Sequence, residues 1–443
     1  MKKLTGYKYL TILTIFLLMV GWTVSGVGIY FRLLLFISLV IICSYVWDVI
    51  GLQGLAVERT SRSKRSSVGK VFDERLVISN SKLFPCIWVE LEDLSSLPQK
   101  SGSRIFTSMA GNQERSFISR NWITRRGSFD LGPMKLTSGD LLGIFRTSRT
   151  IPLINNLVVY PLTFDIDYFP VPGGLLPGGR KIRLQTNDIS PNVTGIREYS
   201  TGDPIKRIHW PSTARKMTYM IKLFEQDPKA DIWLFIDSQK EAQIKSENAV
   251  SPIPEKEFSL FKHGQVRLQE DSYEYAISTA ASLAKYLIRQ KLAIGLASSG
   301  KSATIVPAEP GDRQLNKIFE TLAFLEPDGI LPFTHIIQQQ SKVIPMGSGL
   351  ILLTPMVTNE LVIALYELIR RKLFPMIISI QRKSSPGSVG QEEVVRKMDA
   401  LKIPFFNIFI DDELGSQIRA ISKLRKRFAY SLVSAKHQME FGH

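Results

Sequence analysis

Cysteine is nearly absent from this 443-residue chain. Cys43 lies inside an apolar run and Cys86 far from it, so neither a disulfide framework nor a cysteine-based zinc site can be built. Histidine is scarce as well. The five histidines, at positions 209, 263, 335, 437 and 443, show no H-E-x-x-H spacing and no i,i+4 pair, which leaves zinc-dependent hydrolysis without ligands. No G-x-S-x-G elbow occurs, and with it goes the nucleophile of an α/β-hydrolase. Acidic residues are outnumbered, 40 against 56 Lys and Arg, for a net charge of +16. Such an excess fits nucleic acid, anionic lipid or an acidic protein as partner. No basic stretch interleaves with aromatics, and the run Arg419–Arg427 reads as a solvated helix face, so nucleic acid is not an expected partner.

With 44% hydrophobic and 22% charged residues, the chain has material for several packed cores, and disorder is excluded. From Tyr9 to Leu52 the only charges are Arg32 and Asp48. Two spans, about 9–27 and 31–50, approach the ~20 residues needed to cross a bilayer. Residues 1–52 therefore read as a transmembrane helical hairpin. Lys2, Lys3 and Lys8 precede it, and Arg59, Arg62, Lys64, Arg65 and Lys70 follow it; the positive-inside rule puts both ends, and the soluble bulk, in the cytoplasm. A cleaved signal ending near Gly26 followed by one anchor is the alternative, with the soluble part still cytoplasmic. Arg32 reads as a side chain snorkelling to the interface.

Residues 53–165 show short β-rich runs, among them Arg75–Ile78, Cys86–Leu91, Ser116–Ser119 and Leu157–Tyr160. Separated by turn formers, they predict a small antiparallel, immunoglobulin-like β-sandwich. Residues 166–230 begin with a Gly/Pro-rich stretch, 170–179, and read as a linker or loop. From 231 strands alternate with helices: strands near 231–237, 292–297, 303–306, 350–353, 376–380 and 405–410, with helices over 273–290, 313–325, after Thr358, over 392–401 and in a basic tail. That order predicts an α/β, Rossmann-type, mostly parallel sheet over 231–443. The stretch Lys240–Asp271 reads as an exposed insertion.

Gly295-x-x-x-x-Gly300-Lys301-Ser302 satisfies the phosphate-loop pattern, which makes a P-loop NTPase an alternative function. The motif works when the loop leaves a strand and opens a helix whose amides cradle phosphate. Here Gly295 falls within a strand and Ala303-Thr304-Ile305-Val306-Pro307 follows, so a β-turn between two strands is the expected structure.

The most informative segment runs Gly195-Ile196-Arg197-Glu198-Tyr199-Ser200-Thr201-Gly202-Asp203-Pro204-Ile205-Lys206-Arg207-Ile208-His209-Trp210, continuing to Ala214-Arg215. Its alternating charges, Arg197, Glu198, Asp203 and Arg207, form either a structural ion-pair network that locks the segment onto a domain or a partner-binding surface. The segment resembles the signature of the bacterial family known as domain of unknown function 58 (DUF58). Arg126-Gly127-Ser128-Phe129-Asp130-Leu131-Gly132-Pro133 and Asp140-Leu141-Leu142-Gly143-Ile144-Phe145 are similar to further family motifs, with Phe129 for Tyr and Leu141 for Pro.

The resemblance implies a von Willebrand factor A-like α/β domain and a non-enzymatic, membrane-anchored scaffold acting with a MoxR-type AAA+ ATPase in protein or complex assembly or envelope function. It implies partner contacts at Arg197, Glu198, Tyr199, Gly202, Asp203, Arg207, Trp210, Ala214 and Arg215, and a cell-membrane location with lipid contact. No cofactor and no small-molecule substrate is expected. Such domains often hold Mg²⁺ through D-x-S-x-S and a later T-D-G, the oxygens a hard cation needs. Here the corresponding runs are Asp237-Ser238-Gln239-Lys240-Glu241 and Thr354-Pro355-Met356, so the site is degenerate, with Asp237 and Glu241 as residual ligands. The charge surplus concentrates in 55–230, with 26 Lys and Arg against 16 Asp and Glu, as expected for a segment leaving the membrane into a negatively charged leaflet.

Overall fold

The structure, a computed structural model, describes residues 5–98, 102–172, 184–185, 193–201, 203–226, 231–244, 268, 270–383 and 391–421. Two compact units divide the chain, Met1–Tyr160 and Pro161–His443.

The first unit opens with α1 (Thr5–Ser25) and α2 (Gly28–Gly51). Gly26, at φ +61°, turns the chain between them, and the rings of Trp22 and Phe31 lie 5.3 Å apart. α2 is long and apolar enough to cross a membrane, while α1 contains the shorter apolar stretch Ile12–Val24. Ten strands follow: β1 (Leu55–Ser61), β2 (Arg65–Ser67), β3 (Val71–Asn80), β4 (Cys86–Asp93), β5 (Arg104–Met109), β6 (Glu114–Trp122), β7 (Gly127–Leu131), β8 (Met134–Gly139), β9 (Arg146–Ile151) and β10 (Asn155–Tyr160). Sheet β1-β3-β6 packs on sheet β5-β4-β8-β9. Leu55, Val57, Leu76 and Ile78 of the first meet Val89, Leu91, Met109, Met134 and Leu136 of the second in one core, the arrangement of a β-sandwich. A third sheet, β2-β10-β7, contains the parallel pair β2–β10, so the expectation of a wholly antiparallel unit is corrected. Inside this unit Arg59 Nε and Nη2 reach Glu74 at 2.9 and 3.0 Å, and Nη2 reaches Asp93 at 3.0 Å, with all three side chains fully buried.

Residues 166–230 are more than the expected linker. Short strand β11 (Leu184–Gln185), β12 (Val193–Glu198) and β13 (Met220–Gln226) form an antiparallel sheet, and α3 (Trp210–Lys216) lies between the last two. Most of the 170–179 stretch and most of the 240–271 insertion fall outside the described residues, as does the basic tail helix beyond 421.

The α/β part contains β14 (Ile232–Ile236), α4 (Ser272–Arg289), β15 (Ile294–Ser299), β16 (Ala303–Glu309), α5 (Asp312–Phe324), α6 (Phe333–Gln340), β17 (Gly349–Thr354), α7 (Asn359–Arg370), β18 (Phe374–Gln381), α8 (Gln391–Ala400) and β19 (Phe405–Phe409). Sheet order is β16-β15-β14-β17-β18-β19, parallel except for the edge strand β16. β14 is buried at every position, as a strand covered on both faces must be. Its Ile232, Leu234 and Ile236 pack with α4 and α5 on one face, and its Trp233 and Phe235 pack with α6, α7 and α8 on the other. β16 alternates half-buried and exposed, which marks it as the edge. Asp271 Oδ1 caps α4 by accepting from the Tyr273 amide at 2.8 Å. Thr358 caps α7 as its sequence position predicts, accepting from the Leu361 amide at 3.3 Å. Helix α6 has no signal in the sequence, because eight residues are too few to display a helical period.

Candidate functional site

From β14 the chain crosses to β15 on one side of the sheet, and β17 later pairs on the other side, so the order reverses at the β14/β17 junction. At such a switch point the loops leaving the carboxyl ends of the strands diverge and open a crevice, where α/β sheets bind ligands. Asp237 follows β14 directly and Thr354 ends β17. The Asp237 amide donates to Leu353 O at 3.0 Å, which continues the strand pairing to the sheet edge and sets the two side chains together. Thr354 Oγ1 donates to Asp237 Oδ2 at 2.7 Å. The Gln239 amide donates to Asp237 Oδ1 at 3.0 Å. Asp237 is only 2% exposed, and burial pushes its carboxyl up to about 6 against the pull of the Thr354 and Gln239 hydrogen bonds.

Beside it, Ser238 faces the α4 side. Its hydroxyl bonds to Ser298 Oγ at 2.6 Å and to Tyr273 Oη at 2.8 Å. Gln243 Nε2 donates to Asp237 O at 2.8 Å, and Ser272 Oγ donates to Gln243 Oε1 at 2.9 Å. Gly329 closes over the cluster: its amide donates to Ser238 O at 2.9 Å, and a Cβ there would lie 2.0 Å from Ser299 O. Only glycine permits that approach.

This donor set does not fit a divalent cation. Both Asp237 oxygens already accept protein hydrogen bonds, Glu241 is exposed on a 3₁₀ turn, and Pro355 has no side-chain oxygen to offer. Among the described residues no group of three His, Cys, Asp or Glu is positioned to hold a metal ion.

The phosphate-loop match has a structural explanation of another kind. Gly295 lies inside β15, and a Cβ on it would stand 2.7 Å from the Trp233 indole. Gly300, Lys301 and Ser302 form the turn into antiparallel β16. Lys301 donates its amide to Asp328 Oδ1 at 3.1 Å and brings its ammonium to 3.6 Å from Oδ2. No helix N-terminus follows the turn, so the amides that would cradle phosphate are absent from it.

The signature residues sit on the β12–β13 hairpin and α3. Arg197 Nη2 reaches Asp203 Oδ1 at 2.7 Å, and Asp203 Oδ2 accepts from the Ser200 amide at 2.9 Å. The Arg197 hydrogen bond, aided by the Ser200 amide, holds the Asp203 carboxyl below its usual range. The Tyr199 and Tyr219 rings meet edge to face at 6.3 Å. Glu198 ends β12, while Arg207 belongs to the 3₁₀ turn Ile205–Arg207. His209 caps α3 through Nδ1, which accepts from the Ser212 amide at 3.3 Å. Trp210 opens α3 and Ala214 and Arg215 lie on it, all three exposed. Gly202 lies outside the described residues.

Sequence reasoning placed Asp237 but missed Ser238, Tyr273, Ser298 and Gln243. The serine following Asp237 at a strand end was the one available signal. Tyr273 and Gln243 come from segments with no motif of their own, and Ser298 fills a variable position of the 295–302 match; the sheet and α4 alone join them to Ser238.

A family model described as "Protein of unknown function DUF58" matches residues 195–252. The uncharacterized protein YeaD of Bacillus subtilis (strain 168) is 22% identical over 219 residues, which is 48% of this chain and 47% of that protein. The chain thus spans about half the length of the curated relative it matches. Among solved structures, a CARDB domain from Pyrococcus furiosus is matched at 14% identity over 24% of this chain and 91% of its own, with a TM-score of 0.17. A chain from the human seminal-plasma complex of zinc 2-glycoprotein with prolactin inducible protein is matched at 16% over 23% and 92%, with a TM-score of 0.18. The family match covers the Arg197–Asp203 pair and α3 and also takes in β13, β14 and Asp237, and together with the YeaD similarity it supports a relationship to the DUF58 proteins.

Proposed function

We propose that this chain is a membrane-anchored, non-enzymatic interaction module whose α/β half is von Willebrand factor A-like and which acts with a MoxR-type AAA+ ATPase in assembly or envelope function. In this reading α1 and α2 form a two-span hairpin, and both soluble parts, including an immunoglobulin-like sandwich, lie in the cytoplasm. The flanking lysines and arginines support that topology. The sheet order, with Asp237 at the end of its first strand, supports the von Willebrand factor A comparison. At the switch point the hydroxyls of Ser238, Ser298 and Tyr273 bond to one another rather than to a base, which favours a structural use over nucleophilic catalysis.

One observation carries the interaction reading. In the signature segment an ion pair fixes the hairpin turn, while Ile205, Trp210 and Tyr219 stand 71%, 62% and 60% exposed. Large apolar and aromatic side chains held outward on a rigid support are what a protein interface uses as anchors. Pull-down of the full chain from detergent-solubilised membranes, followed by mass spectrometry, tests it. An AAA+ ATPase recovered with the native chain and lost with Trp210→Ala is expected; its absence from both overturns the proposal.

A further inference from the structure

The β8–β9 hairpin runs alongside the end of α2. A Cβ on Gly51 of α2 would meet Ser138 Oγ of β8 at 3.3 Å. One turn earlier, the Asp48 carboxylate accepts a hydrogen bond from Thr147 Oγ1 of β9. Earlier still, the Tyr45 ring meets Phe145 edge to face at 5.6 Å. Ser138 and Thr147 are cross-strand partners, so the step from Gly51 to Asp48 crosses the hairpin at one level, and the next three residues of helix, about 4.5 Å, lead from Thr147 to Phe145 and toward the tip. The tip lies beyond Phe145, level with the apolar body of α2.

That tip is built to hold two leucines outward. Asp140 Oδ1 accepts from the Phe145 amide at 2.7 Å and Oδ2 from the Leu142 amide at 3.1 Å, and Gly143 adopts φ +73° to close the turn. Leu141 and Leu142 are left 76% and 58% exposed. In the other direction Arg149, two residues past Thr147 on the same strand face, is exposed. It stands where α2 leaves its apolar run, at the level a phosphate headgroup would occupy.

We infer that the 141–144 tip is a lipid-binding wedge: Leu141 and Leu142 enter the outer acyl region beside α2, and Arg149 meets anionic headgroups. The inference rests on the reading of α2 as a membrane span. Two leucines and one arginine match the division of an interfacial contact into buried apolar area and charge. Thr147 then supplies one hydrogen bond to Asp48, through Oδ2, at the boundary.

The full chain carrying Cys43→Ala and Cys86→Ala, labelled with an environment-sensitive fluorophore at Leu142→Cys, is reconstituted in vesicles of phosphatidylcholine with or without phosphatidylglycerol and containing a doxyl-labelled quencher lipid. Parallel samples carry the label at Leu39→Cys, midway along α2, and at Ile154→Cys, in the turn between β9 and β10. Quenching at Leu142 several-fold above that at Ile154, and stronger with phosphatidylglycerol present, is expected. Quenching at Leu39 with Leu142 no higher than Ile154 overturns the wedge and leaves the span. No quenching at Leu39 overturns both. Equal quenching at Leu142 in the two vesicle types overturns the role given to Arg149.

Discussion

Thr354 donates its hydroxyl proton to Asp237 at 2.7 Å, although the two residues stand 117 positions apart in the chain. The same hydroxyl lies 2.9 Å from Met356 O and also accepts from the Met356 amide at 3.1 Å. A hydroxyl has one proton to give. When Asp237 is ionised the proton goes to the carboxylate; when Asp237 is protonated, its own O–H donates to Thr354, whose proton is then free for Met356 O.

Stability should report that titration. The carboxyl of Asp237 is raised to about 6 from 3.8, so between these values the folded state binds more protons than the unfolded one. Stability then falls as pH rises through that window and stays lower at neutral pH. Asp237→Asn keeps a donor for Thr354 and an acceptor for the Gln239 amide without the buried charge. It is expected to stabilise the protein at pH 7 by up to about 3 kcal/mol, with the gain vanishing near pH 4. Thermal melts of both proteins across that range check this; a variant less stable than the native chain at pH 7 refutes it.

The glycine and the lysine of the phosphate-loop match should separate. Gly295→Ala places a methyl against the Trp233 indole, 2.7 Å away, and should cost about 1–3 kcal/mol. Lys301→Ala loses only an exposed contact with Asp328 and should leave the melting temperature unchanged. Calorimetry of the native full chain with ATP and Mg²⁺ should show no binding heat; saturable heat that Lys301→Ala abolishes would restore the nucleotide reading.

In the first unit, Arg59 is the cation between two buried acids. Burial raises the Glu74 carboxyl, while Arg59 pulls the other way. Removing one partner of a buried ion pair leaves an uncompensated charge, so Arg59→Met should destabilise by about 3–5 kcal/mol at neutral pH. The deficit should shrink in acid, as the raised Glu74 carboxyl takes up a proton. Denaturant melts at both pH values decide, and a pH-independent deficit would mean that packing, not charge, is what Arg59 supplies.

Arg197→Ala and Trp210→Ala are expected to behave alike in binding and to spare the fold. The Arg197–Asp203 pair sits at the surface, where ion pairs add little stability, yet it sets the turn from which Trp210 is presented. Both variants should melt with the native chain while losing the ATPase in pull-down. A variant that loses binding only because it unfolds would show a lowered melting temperature instead.

Much of the α/β part is legible in the sequence. Ile232–Ile236 is a buried run of the length of a central strand, the apolar stripe of 273–290 has a helical period, and Thr358 stands where a cap belongs. These signals are local. The β-sandwich was harder: only four of its strand runs stood out, because short strands with half-exposed alternation resemble turns and loops in composition. Residues 166–230 read as a linker for the same reason, since the hairpin within them is held by pairing between residues some twenty-five positions apart, such as Arg197 with Ile221.

Periodicity, composition and the charged run at 197–215 together set the element types, the apolar N-terminal helices and the family resemblance, because each depends on neighbours within a few turns of chain. Folding alone brought Thr354 to Asp237, aimed Lys301 at Asp328 rather than at a phosphate, assigned Gly295 to the Trp233 ring, and set Phe145 beside Tyr45 of α2. Those pairings depend on strand order and register, which arise when distant segments share one sheet, and no local pattern encodes which strand will lie beside which.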